Sequence, residues 1–190
     1  VFIMRGYKKS KTLALYGLVM LLWAGPACYV ERQYVEIKQA QLRLQDNKAR
    51  LSIKLDFQLS PSAEDALYSG IPLYWDVSIV FKQQRDFWDK TLSARTYRYS
   101  LAYYTLLNNF RVKDEHKKAF RRFSSLQDAL RYMQHFETEE MPLTGYVANQ
   151  CIISVLNISF DKEMLPAPLR PIAYFDEQWN LSTNERQWCE

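Results

Sequence analysis

Two histidines, His116 and His135, are the only imidazoles in the 190-residue chain, and neither has a catalytic motif beside it. His116 lies in a charged stretch, and His135 falls half a turn away from the apolar stripe of a predicted helix, where it faces water. A catalytic histidine needs a nucleophile and an orienting acid around it. Five glycines form no phosphate-binding loop, and the histidines and cysteines lack the spacing of a zinc site. We therefore predict no catalytic residue, no metal site and no cofactor.

Residues 86–89 have the composition of a sugar-binding site. Asp86 and Asp89 flank Trp88, and glycosidases use two carboxylates on either side of the scissile bond. In an extended segment, however, residues three apart point to opposite faces, which argues against the two carboxylates acting on the same bond. A hairpin loop with one aromatic side chain folded back is the plainer interpretation, and a glycan-binding or glycan-hydrolysing domain is the alternative function.

Three cysteines offer acylation or redox chemistry. Cys28 follows Ala27, which is where a bacterial lipoprotein would be cut and acylated, although Gly25 stands where a lipobox usually has leucine. Cys151 lies in an apolar predicted strand, and Cys189 is the penultimate residue. In an oxidising compartment these two could form a disulfide worth about 3–4 kcal/mol. The alternative is that one is a buried thiol and the other a terminal thiol.

The first 28 residues have the pattern of a secretory signal peptide. A basic segment at residues 5–11 precedes an apolar segment at residues 13–24, and small residues follow at Gly25 and Ala27. We predict a signal peptide at residues 1–28 and a single mature domain at residues 29–190, exported to the periplasm. An uncleaved membrane anchor is the alternative.

The net charge of +4 belongs to this N-terminal segment. Residues 1–28 contain four basic side chains and no acidic one, so the rest of the chain is neutral and gives no broad footprint for nucleic acid. Residues 111–122 remain locally basic, with six cations and two acids. The plainer interpretation of that stretch is a solvated face. The alternative is that it binds an anionic surface such as lipid head groups.

Alternating apolar and polar residues predict a β-rich domain. Residues 50–59 alternate without a fault, whereas residues 35–45 slip by one near Lys38 and Gln39, as a β-bulge would cause. Similar strands are predicted at residues 73–81, 96–104 and 146–160. Ser60-Pro61 and a capping box at Ser124 and Gln127 predict two short helices. The predicted fold is mainly β, an antiparallel β-sandwich-like domain with two short helices.

Five phrases, taken in order, resemble a family of small exported proteobacterial proteins classed as a domain of unknown function. They are ALYSGIPL at residues 66–73, YSLAY at 99–103, SLQDAL at 125–130, LPAPLRP at 165–171 and WNL at 179–181. The resemblance implies a periplasmic protein with no assigned activity, often encoded beside a nitrogen-regulation-type sensor histidine kinase and a ribosomal RNA methyltransferase. The chain differs from the family pattern at Asp89, where a more aromatic residue is expected.

The expected function is therefore a non-enzymatic binding or accessory module of the cell envelope. Its partner is expected to be an envelope protein, such as the extracytoplasmic part of a sensor kinase, and the N-terminus could tether it to a membrane. Arg170 and Trp179 are the predicted contacts, with Pro166, Pro168 and Pro171 holding an extended backbone that can dock. The alternative for Trp179 is that it caps an open edge of the sandwich.

Overall fold

The computed structural model describes residues 34–85, 87–147 and 150–189. The predicted signal peptide, with Cys28, lies outside these residues. The strands are β1 (Val35–Gln45), β2 (Lys48–Phe57), β3 (Leu73–Gln83), β4 (Lys90–Tyr104), β5 (Asn109–Asp114), β6 (Ala119–Phe123), β7 (His135–Glu137), β8 (Met141–Pro142), β9 (Ile152–Phe160) and β10 (Arg186–Cys189). The helices are α1 (Pro61–Tyr68), α2 (Leu126–Met133) and α3 (Leu169–Phe175), with 3₁₀ turns at Thr105–Leu107, Lys162–Met164 and Glu177–Trp179.

The strands form two antiparallel sheets that enclose the core. The smaller sheet has the order β1-β2-β7, with β8 also paired to β2, and the larger has the order β10-β9-β3-β4-β5-β6. The prediction of a mainly β, sandwich-like fold is confirmed. In the part of the chain that is described, no helix combines the length and apolar character needed to cross a membrane.

The β1–β2 hairpin has the predicted bulge. The pairing shifts between Ile37 and Gln39, which explains the slip in the sequence pattern. Asp46 and Asn47 form the two-residue turn with φ values of 50° and 58°. Such turns need left-handed backbone at both positions, and Asp and Asn tolerate it better than most residues.

The core lies between the inner faces of the two sheets. Alternate residues of β3 are buried, from Leu73 to Phe81, as the sequence pattern predicts. Trp75 is central, because its ring lies 5.1 Å from that of Phe57 and 5.4 Å from that of Phe160. Its indole Nε1 donates a hydrogen bond to the carbonyl of Leu181 (3.1 Å). Alternation of apolar and polar residues along the strands therefore builds the core between the two sheets, and the surface sites lie outside this core.

The two predicted helices form, with one correction. α1 begins at Pro61 with Ser60 as its N-cap, as predicted, and Gly70 follows it with φ of +84°. The capping box on Ser124 is wrong by one residue, because Ser125 caps α2 and accepts a hydrogen bond from the Asp128 amide (3.1 Å). The Asp128 carboxylate accepts the Ser125 hydroxyl in return, and its charge suits the first turn of a helix.

The third helix, α3, is where extended chain was predicted at residues 165–171. Pro168 occupies the N-cap with φ of −65° and ψ of −27°, and Pro171 lies in the first turn. Amides in the first turn have no partner within the helix, so proline loses nothing there and its fixed φ favours the helical backbone. The prolines therefore begin a helix, and the described residues contain three helices where two were predicted.

Candidate binding site

The segment from Leu165 to Trp179 has two different sides. Toward the core, Leu165, Ala173 and Trp179 are buried. Toward solvent lie large apolar side chains of α3 and, just before the segment, Met164. We call this set the α3 surface: Met164, Ile172, Tyr174 and Phe175. Phe175 is 91% exposed. A short helix anchored on one side therefore holds an apolar patch outward, which is a common property of protein interaction sites.

Trp179 is not part of that patch. It is only 2% exposed, and its ring stacks on Phe160 at 6.0 Å with an interplanar angle of 26°. This burial leaves Trp179 little surface for a partner and fits the alternative, in which it caps the edge of the sandwich; its role as a partner contact stays a prediction. The adjacent Gln178 side chain accepts hydrogen bonds from the amide and hydroxyl of Ser62, which tie this segment to α1.

Arg170 holds the turn that precedes α3. Its Nε donates to the carbonyl of Leu165 at 2.7 Å, and Nη1 lies 3.9 Å from a carboxylate oxygen of Glu163. Glu163 also accepts the Tyr174 hydroxyl, and this hydrogen bond raises the pKa of Tyr174. These contacts order the rim of the α3 surface, and the role of Arg170 as a partner contact stays a prediction.

The three prolines do not present an extended ligand. Pro166, Pro168 and Pro171 are exposed, but Pro166 accepts a backbone hydrogen bond from Leu169 (2.9 Å) in a turn, and the other two lie at the start of α3. Docking through an extended proline-rich backbone is therefore wrong for this conformation. The prolines instead fix the position at which α3 begins.

The structure brings Cys151 and Cys189 together and joins them in a disulfide, with 5.7 Å between their Cα atoms. That separation is typical of a disulfide. β10 pairs with β9 at this edge of the larger sheet, with Cys189 opposite Ile153. The bond thus connects the last strand to the segment that enters β9. Pairing of these cysteines in the cell stays a prediction.

The loop between β3 and β4 exposes two aromatic rings. Phe87 is 90% and Trp88 is 75% exposed, with ring centroids 6.2 Å apart. The predicted loop with one aromatic side chain folded back is therefore wrong, because neither ring folds back onto the protein. Asp86 lies outside the described residues, so the structure shows no geometry for the predicted pair of acids.

A cavity of about 290 Å³ lies between the sheets, and the sequence did not suggest it. Side chains of Trp75, Val77, Val112 and Phe136 are among its apolar lining, and charged or polar groups, including Arg121, lie among them. The larger sheet has six strands and the smaller only four, and α2 packs against β5 and β6. Arg121 pairs with the buried Val112, and is the one charged residue at an inward position of β6.

Tyr99 borders this cavity, with its side chain partly buried. Burial raises its pKa, and the negative charge of Asp114, which accepts the Tyr99 hydroxyl at 3.3 Å, raises it further. The phenol therefore stays neutral through the physiological range and acts as a hydrogen-bond donor.

An ion cluster on the outer face of the larger sheet was also missed. Arg98 binds both carboxylate oxygens of Asp76 at 2.7 Å, and its Nη2 also lies 2.9 Å from Asp161. The hydrogen bonds to Asp76 raise the pKa of Arg98 further. Asp76 and Arg98 are directly opposite on β3 and β4, so the cluster fastens adjacent strands to the segment after β9. All its charges are paired, which favours a structural role.

The family model for a domain of unknown function, DUF4390, matches residues 32–189. The chain belongs to the DUF4390 family. The predicted membership of a family of unknown function is thereby confirmed. The matched range runs from just before β1 to Cys189 of β10, so the DUF4390 domain includes both sheets, the α3 surface and the disulfide. No curated protein and no solved structure matches the chain.

Membership of DUF4390 carries no chemistry with it, so the geometry has to supply the functional argument. Across residues 34–85, 87–147 and 150–189, no group of three or more His, Cys, Asp or Glu side chains could hold a metal ion. His116 lies in the β5–β6 turn, with its ring 6.0 Å from that of Tyr97, and His135 is exposed on β7. The α3 surface lies beside the predicted contacts Arg170 and Trp179 without including them, and its exposed apolar side chains are suited to binding.

Proposed function

We propose that this DUF4390 protein is an exported, non-enzymatic module of the cell envelope that binds another envelope protein through the α3 surface. The observation that carries the proposal is the 91% exposure of Phe175 on a helix whose opposite side is fixed in the core. Ile172 lies one turn earlier on the same side and is half exposed. Exposing large apolar side chains to water costs free energy, and a partner that buries them would recover it.

The composition of the α3 surface fits a protein partner. Interface hot spots are rich in aromatic residues and arginine, with apolar groups in the centre and polar groups at the rim. Ile172, Tyr174 and Phe175 supply the apolar and aromatic groups, and Arg170 and Glu163 lie beside them. Because these side chains come from one short helix and the turn before it, they are ordered before binding, which lowers the entropic cost of association.

The proposed partner is the extracytoplasmic part of a membrane protein, with a sensor histidine kinase as the first choice. The signal pattern of residues 1–28 and the gene neighbourhood implied by the family resemblance support that choice. We propose that the chain is periplasmic, either free or tethered by its N-terminus. Mass spectrometry of the mature N-terminus tests this part, since cleavage, acylation of Cys28 and an intact anchor give different masses.

Photocrosslinking in intact cells tests the binding proposal. A photoreactive phenylalanine analogue in place of Phe175 should give one adduct with an envelope protein, identified by mass spectrometry. The same analogue in place of Leu44, which is exposed on β1, is the matched control and should give none. Ile172→Ser should weaken the Phe175 adduct without changing the melting temperature. Equal adducts at the two positions, or none at either, would overturn the proposal.

A second candidate function is glycan binding through Phe87 and Trp88. Its support is the exposure of both rings on one loop, because sugar faces stack on solvent-accessible aromatic rings. Co-sedimentation with purified peptidoglycan, followed by chromatography of released fragments, tests binding and hydrolysis together. Trp88→Ala should abolish sedimentation and Phe175→Ala should not. Sedimentation unchanged by Trp88→Ala, or absent in wild type, removes this candidate.

A further inference from the structure

The tip of the β4–β5 hairpin is apolar and fully solvated. The four residues between the paired ends of the strands are Thr105, Leu106, Leu107 and Asn108. Leu106 is 100% exposed and Leu107 is 56% exposed. Hairpin tips are normally polar because they project into water. Two adjacent leucines at this point are therefore solvated without any contribution to the core.

The backbone of the tip is ordered by its own hydrogen bonds. The Asn108 amide donates to the Thr105 carbonyl (3.2 Å), and the Asn108 side-chain oxygen accepts the Tyr103 hydroxyl (2.9 Å). Asn108 has left-handed backbone with φ of 45°. The turn thus depends on Thr105 and Asn108, and it places the leucines outward without requiring them to be apolar.

Two arginines lie opposite one another on the neighbouring strands. Arg111 of β5 pairs directly with Arg122 of β6. Like charges at such positions destabilise a sheet, and within the described part of the chain neither guanidinium forms an ion pair with a carboxylate. In addition, Arg111 Nε is buried without a hydrogen-bond partner. The pair is therefore an uncompensated positive centre, in contrast to the closed cluster around Arg98.

Aromatic rings hold these arginines in place. The Arg111 guanidinium carbon lies 3.8 Å from the ring centroid of Tyr104 and 5.4 Å from that of Phe120. Arg122 lies 5.3 Å from the same Phe120 ring. Both rings are partly exposed. Stacking of this kind orients a guanidinium while leaving N–H groups, which point outward in the guanidinium plane, available to an anion.

The leucines, the rings and Arg111 share one depression. Tyr104, Leu106, Leu107, Arg111 and Phe120 all line a single surface groove of about 880 Å³ on the outer side of the larger sheet. We call this the tip surface, with Arg122 added through its contact with Phe120. The tip surface has apolar residues at its end, aromatic rings next to them and cations behind them. Proteins at a membrane interface have their groups in this spatial order.

We propose that the tip surface docks this protein on a bilayer containing anionic phospholipids. Leu106 and Leu107 enter the boundary between head groups and acyl chains, Tyr104 and Phe120 lie at head-group depth, and Arg111 and Arg122 bind phosphates. Charge complementarity favours a lipid surface, because the oxygens of a phosphate can accept the forked N–H pairs of two guanidiniums that have no carboxylate partner. The tip surface is separate in sequence from the α3 surface, and this inference does not depend on the protein partner.

Hydrogen exchange of the full chain with lipid vesicles tests the proposal locally, so binding through the N-terminal segment does not confuse the result. Vesicles of phosphatidylglycerol and phosphatidylethanolamine should slow exchange in peptides covering residues 103–110. Peptides covering the β1–β2 turn, residues 44–49, are the internal control and should not change. Neutral phosphatidylcholine vesicles should give much weaker protection at residues 103–110.

Matched variants separate the apolar and charged parts of the surface. Leu106→Ser with Leu107→Ser should lower vesicle affinity about tenfold or more, since each leucine loses its transfer into an apolar medium. Arg111→Gln with Arg122→Gln should remove the difference between anionic and neutral vesicles. Leu44→Ser should have no effect, and unchanged melting temperatures confirm that the variants fold.

Three outcomes would overturn the proposal. The first is unchanged exchange at residues 103–110 with anionic vesicles. The second is equal protection by soluble glycerol phosphate, which would make the site one for a soluble anion. The third is protection that persists in the leucine variant, which would mean that the tip does not enter the bilayer.

Discussion

The β1–β2 and β4–β5 hairpins connect their strands in opposite ways. The β1–β2 hairpin uses two polar residues, Asp46 and Asn47, which have φ values of 50° and 58° and form the whole turn. The β4–β5 hairpin uses a longer loop in which only Asn108 has left-handed backbone, and two leucines occupy the projecting positions. In the first hairpin, backbone geometry decides the residue types. In the second it leaves them free, so the leucines need another explanation.

Charge next to the two turns differs in the same way. Beside the β1–β2 turn, Glu140 accepts hydrogen bonds from Lys48 (3.0 Å) and Arg50 (3.2 Å). Beside the β4–β5 tip, Arg111 of β5 lies directly opposite Arg122 of the adjacent strand β6. One hairpin therefore neutralises its cations within the fold, and the other keeps them for an external anion. The comparison teaches that both hairpins satisfy the backbone of their turns, whereas only the β1–β2 hairpin also has polar turn residues and paired cations.

Exchanging the residue types of the two turns should give the largest difference in stability. Asp46→Leu with Asn47→Leu should lower the free energy of unfolding by about 1–2 kcal/mol for each residue, because leucine is strained in left-handed backbone. Leu106→Asp with Leu107→Asp should leave stability within about 0.5 kcal/mol, since both side chains are exposed. Urea denaturation measures both. Similar losses in the two hairpins would show that the leucines are structural.

Asn108 should be the residue of the β4–β5 loop whose substitution lowers stability most. Asn108→Val should cost about 1–2 kcal/mol, because a β-branched residue fits left-handed backbone poorly. Asn108→Gly is the matched control and should cost less than about 1 kcal/mol, the value of the lost hydrogen bond to Tyr103. Thermal or urea unfolding distinguishes the two variants, and an equally large loss in both would assign the effect to the side chain instead of the backbone.

The parts of the fold that the sequence predicted are those encoded by neighbouring residues. The bulge near Gln39, the N-cap at Ser60 and the alternation of β3 each depend on a short pattern, and each is confirmed. The sequence does not predict α3, because the three prolines at residues 166–171 suggest extended backbone, whereas proline also favours the first turn of a helix. The N-cap of α2 was misplaced because Ser124 and Ser125 are adjacent, and only the hydrogen bond to Asp128 distinguishes them.

The candidate sites were less predictable, because burial depends on distant residues. Nothing near Trp179 in the sequence shows that Phe160 will stack on it, and the cavity between the sheets follows from the unequal widths of the two sheets. The tip surface carried a signal that could have been found. Leu106-Leu107 followed by Asn108-Asn109 between two alternating segments places apolar residues at a turn, which is unusual for a hairpin. The facing position of Arg111 and Arg122, by contrast, needed the register.

Pairing the arginines should convert the second hairpin into one like the first. Arg122→Glu places a carboxylate opposite Arg111 and should raise the free energy of unfolding by about 0.2–1 kcal/mol. The same change should weaken vesicle binding, because it removes the uncompensated positive centre. Arg122→Gln is the control and should give a smaller gain in stability. A loss of stability in Arg122→Glu would mean that the two arginines are already compensated.

Acid titration should sharpen the difference in charge between the hairpins, with the smallest effect of the four. Hydrogen bonds from Lys48 lower the pKa of Glu140, so its contribution to stability is present above its ordinary pKa of 4.5 and is lost as pH falls below that value. Glu140→Gln should therefore reduce the loss of melting temperature between pH 6 and pH 3, relative to wild type. Because these side chains are exposed, high salt should shrink the difference between the two proteins. Arg122→Gln should leave the acid profile unchanged, since the arginine pair has no carboxylate to protonate, and a shifted profile would place an acidic partner beside the tip surface.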